Sequence, residues 1–289
     1  MFDRLQRTSA CVPVMRRQTN FDFVAVATAC NTQNEFNRLA ISLENSLTPQ
    51  EIASIARLVF PSCMRERVDA WLRRLSRWEP ELFAAPKPYQ RRSIVSGVEL
   101  YSDPRMGHNA KGLIVAFCGN AGRLMVPVCL FLQATDARLW DVLVLRAAAG
   151  QSYMAGIEGV ADNFTDLVHH FETTQCMPEY RRVLTFGTSG GSFAALWAAV
   201  LLRAQRGIAV GGRAPPAKPL HLVTNHALHN GDHILVYGEK FLSDYEGALG
   251  LRDLFGGRLL PVPDIAQHNV LGHLMKHGLL AAFLEDVLS

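Results

Sequence analysis

Ser189, Asp244 and His268 are the residues of this chain whose types and order suit covalent chemistry at a carbonyl carbon. A serine hydroxyl becomes nucleophilic when an imidazole takes its proton. The imidazole does this best when a carboxylate orients it and stabilises its cation. Ser189 stands at the apex of Gly187-Thr188-Ser189-Gly190-Gly191, between the apolar run Val183-Leu184-Thr185-Phe186 and an alanine-rich apolar segment reaching Leu202. That succession reads as strand, tight turn and helix, and the turn lifts one hydroxyl clear of the backbone. The flanking glycines leave room where strand and helix approach, and the helix start offers unpaired N–H groups to a developing oxyanion. The pentapeptide alone is weak, because a glycine-rich loop with a capping serine has the same letters.

The chemistry makes demands far from Ser189. An earlier strand must end in a loop that supplies oxyanion donors, and Phe117-Cys118-Gly119-Asn120-Ala121-Gly122 fits. The backbone N–H of Asn120 or Ala121 would join that of Gly190; tight packing alone would select similar small residues. His268 follows the last predicted strand in Asp264-Ile265-Ala266-Gln267-His268-Asn269, with Asn269 placed to cap the final helix. For the acid, Asp244 opens the helix after the run His233-Ile234-Leu235-Val236-Tyr237 and is the first choice. Glu239, nearer the strand, is its main rival, and Asp264 is a weaker one. Ser243-x-x-Glu246 also spells a capping box, in which Asp244 would merely favour the helix dipole.

The elements that must position these groups follow an alternating rhythm. Strands are predicted near 94–101, 113–118, 141–146, 183–187, 208–211, 233–237 and 258–263. Helices are predicted near 123–134, 159–172, 191–204, 244–255 and 269–287. Apolar strands alternating with helices imply a doubly wound, mostly parallel sheet covered on both faces. Residues 1–92 read as a mainly helical extension, a possible cap over the site, and 93–289 as the catalytic domain. Residues 21–29 fit a strand or a buried turn of helix. Thr48-Pro49-Gln50-Glu51 is a helix start with Thr48 as N-cap. Residues 64–78 place apolar side chains at helical spacing, opposite Arg65, Arg67, Arg73, Arg74 and Arg77; that arginine face meets solvent or an anionic partner.

Composition narrows the classes. The chain has 289 residues, 49% of them hydrophobic, and a net charge of +3 from 29 basic and 26 acidic residues. This balance calls for no nucleic-acid partner. The six cysteines, Cys11, Cys30, Cys63, Cys118, Cys129 and Cys176, lack zinc-type spacing and suggest a reducing compartment. No apolar run approaches the roughly 20 residues of a membrane span, and the charged N-terminus lacks a signal-peptide core. A cytoplasmic location is expected. No lysine follows the elbow as a phosphate-cradling loop requires, and Gly119-Asn120-Ala121-Gly122 lacks dinucleotide-binding spacing. His221, His226, His229 and His233 invite a metal reading without completing a recognised pattern, and His273 and His277 lack the glutamate of a zinc-protease helix. Neither metal nor organic cofactor is expected. Cys118 reads as a packing residue rather than a reactive thiol.

Together the loop after Leu113–Cys118, the Gly187–Gly191 elbow, the acid segment 238–244 and the histidine segment 266–270 resemble the α/β-hydrolase superfamily over residues 93–289. The resemblance implies that Ser189 is the nucleophile, His268 the general base and acid, and Asp244 the group orienting it. It departs from many members in having no histidine before Gly119 and only a short segment between the strands at 208 and 233. The expected activity is hydrolysis of an ester or thioester, on a small-molecule or carrier-bound acyl substrate, through an acyl-serine. Acyl transfer by the same residues and a catalytically silent binding module remain open alternatives. The oligomeric state is not indicated.

Overall fold

The computed structural model describes residues 23–147, 153–175, 177–214 and 231–289. Eight strands form one open sheet: β1 (Gln90–Val95), β2 (Val98–Ser102), β3 (Gly112–Phe117), β4 (Trp140–Leu145), β5 (Arg182–Thr188), β6 (Arg206–Val210), β7 (Ile234–Gly238) and β8 (Arg258–Val262). Their spatial order is β1-β2-β4-β3-β5-β6-β7-β8. β2 runs antiparallel to β1 and β4, and every other pairing is parallel. Every residue of β3 and of β4 is buried, as expected of parallel strands covered on both faces.

Alternation along the strands splits the interior into two cores. Ile114, Ala116, Val142, Val144, Phe186 and Val210 face one layer, made by α6 (Val128–Ala134), α10 (Val270–Lys276) and α11 (Leu280–Leu288). Leu113, Val115, Phe117, Leu143, Leu145 and Ala209 face the other, made by α7 (Phe164–Thr174), α8 (Ser192–Leu202) and α9 (Leu242–Phe255). The first core also takes the buried side chains of α1 (Phe23–Thr28), α2 (Gln33–Glu44), α3 (Pro49–Ile55), α4 (Ser62–Trp78) and α5 (Glu81–Ala84). α4 contributes Met64, Val68, Trp71 and Leu75, a single helical stripe; each such side chain is worth about 1.5–3 kcal/mol when fully buried.

Local chemistry accounts for the element boundaries. Thr48 caps α3 in a capping box with Glu51, and Thr32 does the same for α2 with Glu35. The stretch at 94–101 is a hairpin, not one strand: Gly97 adopts a φ of 79°, which turns β1 back as β2. The predicted helix at 123–134 begins only at Val128, after Pro127, because 118–126 form the loop beside Ser189. The final helix is two, α10 and α11, divided at Gly278 with φ 70°. Residues 23–28 are helical. Part of the arginine face of α4 is occupied within the chain: Arg65 pairs with Asp69, Arg67 donates to the Cys30 carbonyl, and Arg74 pairs with Glu44 while lying over Trp78. Among the described residues no helix is long and apolar enough to cross a membrane.

Candidate active site

Ser189 leaves the carboxyl end of β5 with a φ of 51°, a left-handed conformation that non-glycine residues rarely adopt. The strain is held by close packing on either side. A β-carbon at Gly187 would stand 2.4 Å from the Gly191 carbonyl oxygen and 2.7 Å from Ala195 Cβ, and one at Gly191 would stand 2.4 Å from the Phe117 carbonyl oxygen. Strand, turn and helix therefore fit together only with glycine at both positions. Ser192, at the start of α8, donates its hydroxyl to the Gly187 and Val210 carbonyls, tying the helix to β5 and β6.

His268 precedes α10, whose N-terminus is capped by Asn269 accepting from the Gly272 N–H at 2.8 Å. Its Nε2 lies 2.9 Å from Ser189 Oγ, and its Nδ1 lies 2.8 Å from Asp244 Oδ1 and 3.0 Å from Oδ2. A carboxylate can only accept, so Nδ1 carries the proton and Nε2 is left to accept from the serine hydroxyl. The hydrogen bond that His268 donates to Asp244 holds the His268 pKa above the ordinary histidine value, against partial burial and the charge of Arg213. Asp244 is buried, whereas 45% of the His268 side chain remains exposed.

The competing acids lie elsewhere. Glu239 accepts from the Asp264 N–H at 3.3 Å, and Asp264 pairs with Lys240 at 2.6 Å. Neither meets His268. The alternative capping box of Ser243 and Glu246 does not form: a helix capped by Ser243 would begin at Asp244, whereas α9 begins two residues earlier, at Leu242, with Phe241 as an N-cap lacking a side-chain bond. Ser243 thus lies inside the helix, and the Asp244 carboxylate is directed to the histidine.

The loop after β3 reaches the serine. A β-carbon at Gly119 would stand 3.1 Å from Ser189 Cβ, and one at Gly190 would meet Asn120 Oδ1 at 2.0 Å. The loop closes on itself through Gly119 N–H to Arg123 O and Gly122 N–H to Gly119 O, and among the described residues the Asn120 and Ala121 N–H groups have no backbone acceptor. Gly190 lies in the first turn of the helical segment after Ser189, where backbone N–H groups have no intrahelical partner. Cys118 is buried at the root of the loop, and burial pushes its thiol up to about 12, in keeping with a packing residue.

Two positioning residues carry little signal in the sequence. Gly211 directly follows β6 with φ 58°, and a β-carbon there would lie 3.0 Å from Asp244 Oδ2 and 3.2 Å from His268 Cε1. The Gly-Gly pair after an apolar strand was the available sign of close backbone approach. Tyr153 is buried with its hydroxyl 2.7 Å from Leu145 O and 2.9 Å from Cys118 O, bracing the ends of β3 and β4 beneath the loop; no local pattern marks it. Of the scattered histidines, His221, His226 and His229 lie outside the described residues. His233 is buried and accepts from the Gly207 N–H, and the rings of His273 and His277 stack at 4.2 Å.

No protein-family model matches the sequence, and no curated protein matches it. Among solved structures, the chain resembles Est1E from Butyrivibrio proteoclasticus at 9% identity and a TM-score of 0.45, covering 70% of this chain and 100% of that one. It resembles a 2,6-dihydroxy-pseudo-oxynicotine hydrolase at 14% identity and a TM-score of 0.47, over 89% and 82% of the two chains. It also resembles an alpha-beta serine hydrolase homologue from Coxiella burnetii at 12% identity and a TM-score of 0.46, over 69% and 95%. Likenesses this distant do not speak for the chemistry of this chain. Its own sheet order, the serine in a left-handed turn after β5, and the chain order of serine, aspartate and histidine are those of the α/β-hydrolase fold.

Proposed function

We propose that this protein is a serine hydrolase that cleaves an ester or thioester through an acyl-serine intermediate. The observation that carries the reading is the unbroken hydrogen-bonded chain from Ser189 Oγ through His268 to the buried Asp244 carboxylate. As Ser189 Oγ bonds to the substrate carbonyl carbon, its proton passes to His268 Nε2 and the carbonyl electron pair moves onto oxygen. The N–H of Gly190, with that of Asn120 or Ala121, holds this oxyanion. Collapse of the adduct breaks the bond to the alcohol or thiol, which leaves with the proton from Nε2. Water then repeats the sequence on the acyl-serine: His268 takes its proton and returns one to Ser189 as the acid departs. Asp244 orients the imidazole and stabilises its cation throughout. The exposure of the His268 ring supports water as the acceptor.

The test is labelling by a fluorophosphonate, which reacts with an activated serine, beside Ser189→Ala and His268→Ala and a panel of esters and thioesters. Labelling and turnover are expected in the wild type and absent from both variants. A folded wild type that is neither labelled nor active overturns the reading, and labelling that survives Ser189→Ala moves the nucleophile elsewhere.

A further inference from the structure

Arg213 is exposed and, among the described residues, makes no ion pair or side-chain hydrogen bond. Its backbone is nevertheless held firmly. It lies two residues beyond Gly211, which abuts Asp244 Oδ2 and His268 Cε1. On the other side α9 presses on it so closely that a β-carbon at Gly247 would stand 3.0 Å from Arg213 Cβ and 2.3 Å from the Gly212 carbonyl oxygen. Two residues span at most about 7 Å, so the guanidinium lies within reach of a substrate seated on Ser189. Its charge already acts on His268, opposing the effect of Asp244.

Among the described residues no acid forms an ion pair with it. Asp244 is committed to His268, Asp264 to Lys240, and Glu239 to the Asp264 backbone. A second exposed guanidinium, Arg123, stands on the loop after β3, its carbonyl pinned by the Gly119 N–H and the Thr188 hydroxyl. Arg213 and Arg123 thus stand exposed on two loops that border Ser189 and His268, and among the described residues neither is in an ion pair. The planar guanidinium of an arginine anchored by its backbone beside a reacting centre matches the paired oxygens of a carboxylate or phosphate.

We infer that the site takes acyl substrates bearing an anionic oxygen group, carboxylate or phosphate, held by Arg213. This rests on the serine-hydrolase reading and names its substrate class. Two matched pairs test it: mono-p-nitrophenyl adipate against p-nitrophenyl hexanoate puts the charge on the acyl side, and butyryl-coenzyme A against butyryl-N-acetylcysteamine puts it on the leaving group. The charged member of at least one pair is expected to have a kcat/KM roughly 10-fold or more above its neutral partner, carried mainly by KM. The pair that responds identifies the source of the anion. In Arg213→Gln the ratio falls toward one and the acid limb of the pH profile moves to higher pH. In Arg213→Lys part of the preference survives, and 0.5 M salt erodes it in the wild type. A wild type that turns over all four substrates without preference, or a preference that persists in Arg213→Gln, overturns the inference and leaves the hydrolase reading standing. A wild type that is inactive and unlabelled by a fluorophosphonate overturns both.

Discussion

Two aspartate–histidine pairs sit at opposite ends of the same sheet and do opposite things. At the carboxyl end, both Asp244 oxygens face one histidine nitrogen, and the other nitrogen meets a serine hydroxyl within reach of solvent. At the amino end, Asp141 at the start of β4 is fully buried and saturated. Its Oδ1 takes Lys111 Nζ at 2.5 Å, and its Oδ2 takes the Tyr180 hydroxyl and His108 Nδ1, each at 3.0 Å. Lys111, also buried, completes its shell with the Asp103 carbonyl at 2.9 Å. The same residue types therefore form the proposed reactive arrangement in one place and a structural clamp in the other. What separates them is the partner of the second histidine nitrogen and whether the carboxylate already neutralises a fixed cation.

The contrast is broken most sharply at His268. His268→Ala is expected to lower kcat/KM on an ester by roughly 10⁴-fold or more with the fold intact, measured on protein checked by circular dichroism. Asp244→Asn should cost about 10⁴-fold, because an amide no longer dictates the histidine tautomer, whereas Glu239→Gln should stay within a few-fold. A larger loss in the second variant would transfer the orienting role to Glu239.

The clamp fails in a different currency. Asp141→Ala strands Lys111 as a buried unpaired cation and is expected to cost about 3–5 kcal/mol in urea unfolding. The molecules that remain folded should keep their kcat. A large kcat loss at constant stability would erase the distinction between the two ends.

Gly211→Ala sharpens the comparison from the catalytic side. Its methyl group would crowd Asp244 and His268 at a backbone angle that disfavours any β-carbon. A loss of about 10- to 100-fold in kcat is expected with a modest stability cost of about 1–2 kcal/mol.

The smallest effect is on pH. Because His268 must be neutral to act as base and its pKa is raised, activity should increase as pH climbs through a value above 6.5. The raised pKa also means that the folded protein favours the imidazolium. That stabilisation is complete below the unfolded-state value and is lost as pH rises through the folded-state one. Activity and this part of stability should therefore run in opposite directions over one window. In Asp244→Asn the acid limb should move down, seen in paired kcat/KM and unfolding titrations.

Much of the scaffold was written locally. The seven strands read from apolar runs all contain strand in the structure, and Thr48, Pro49 and Glu51 marked the α3 boundary through capping that depends on neighbours three residues apart. The misreadings came where a single residue interrupts a continuous pattern: Gly97 divides a strand run into a hairpin, and Gly278 divides a helical run. The Ser243–Glu246 letters match a capping box that does not form, because the helix begins two residues before such a box would start it.

Residue type and chain order alone determined which groups were candidates for the site, since a nucleophile, an acid and a histidine that each follow a strand of a parallel sheet all emerge at its carboxyl end. Tertiary structure alone decided which of Asp244 and Glu239, five residues apart on one loop-to-helix segment, lies against His268. That choice is a matter of ångströms set by where α9 starts and by the space Gly211 leaves beneath it. The Asp141 clamp was likewise invisible in the sequence, because Lys111, Asp141 and Tyr180 share no local pattern. They meet only because β4, β3 and β5 are neighbours in the sheet. Local preferences act over a few residues, whereas sheet pairing sets which distant side chains share a place.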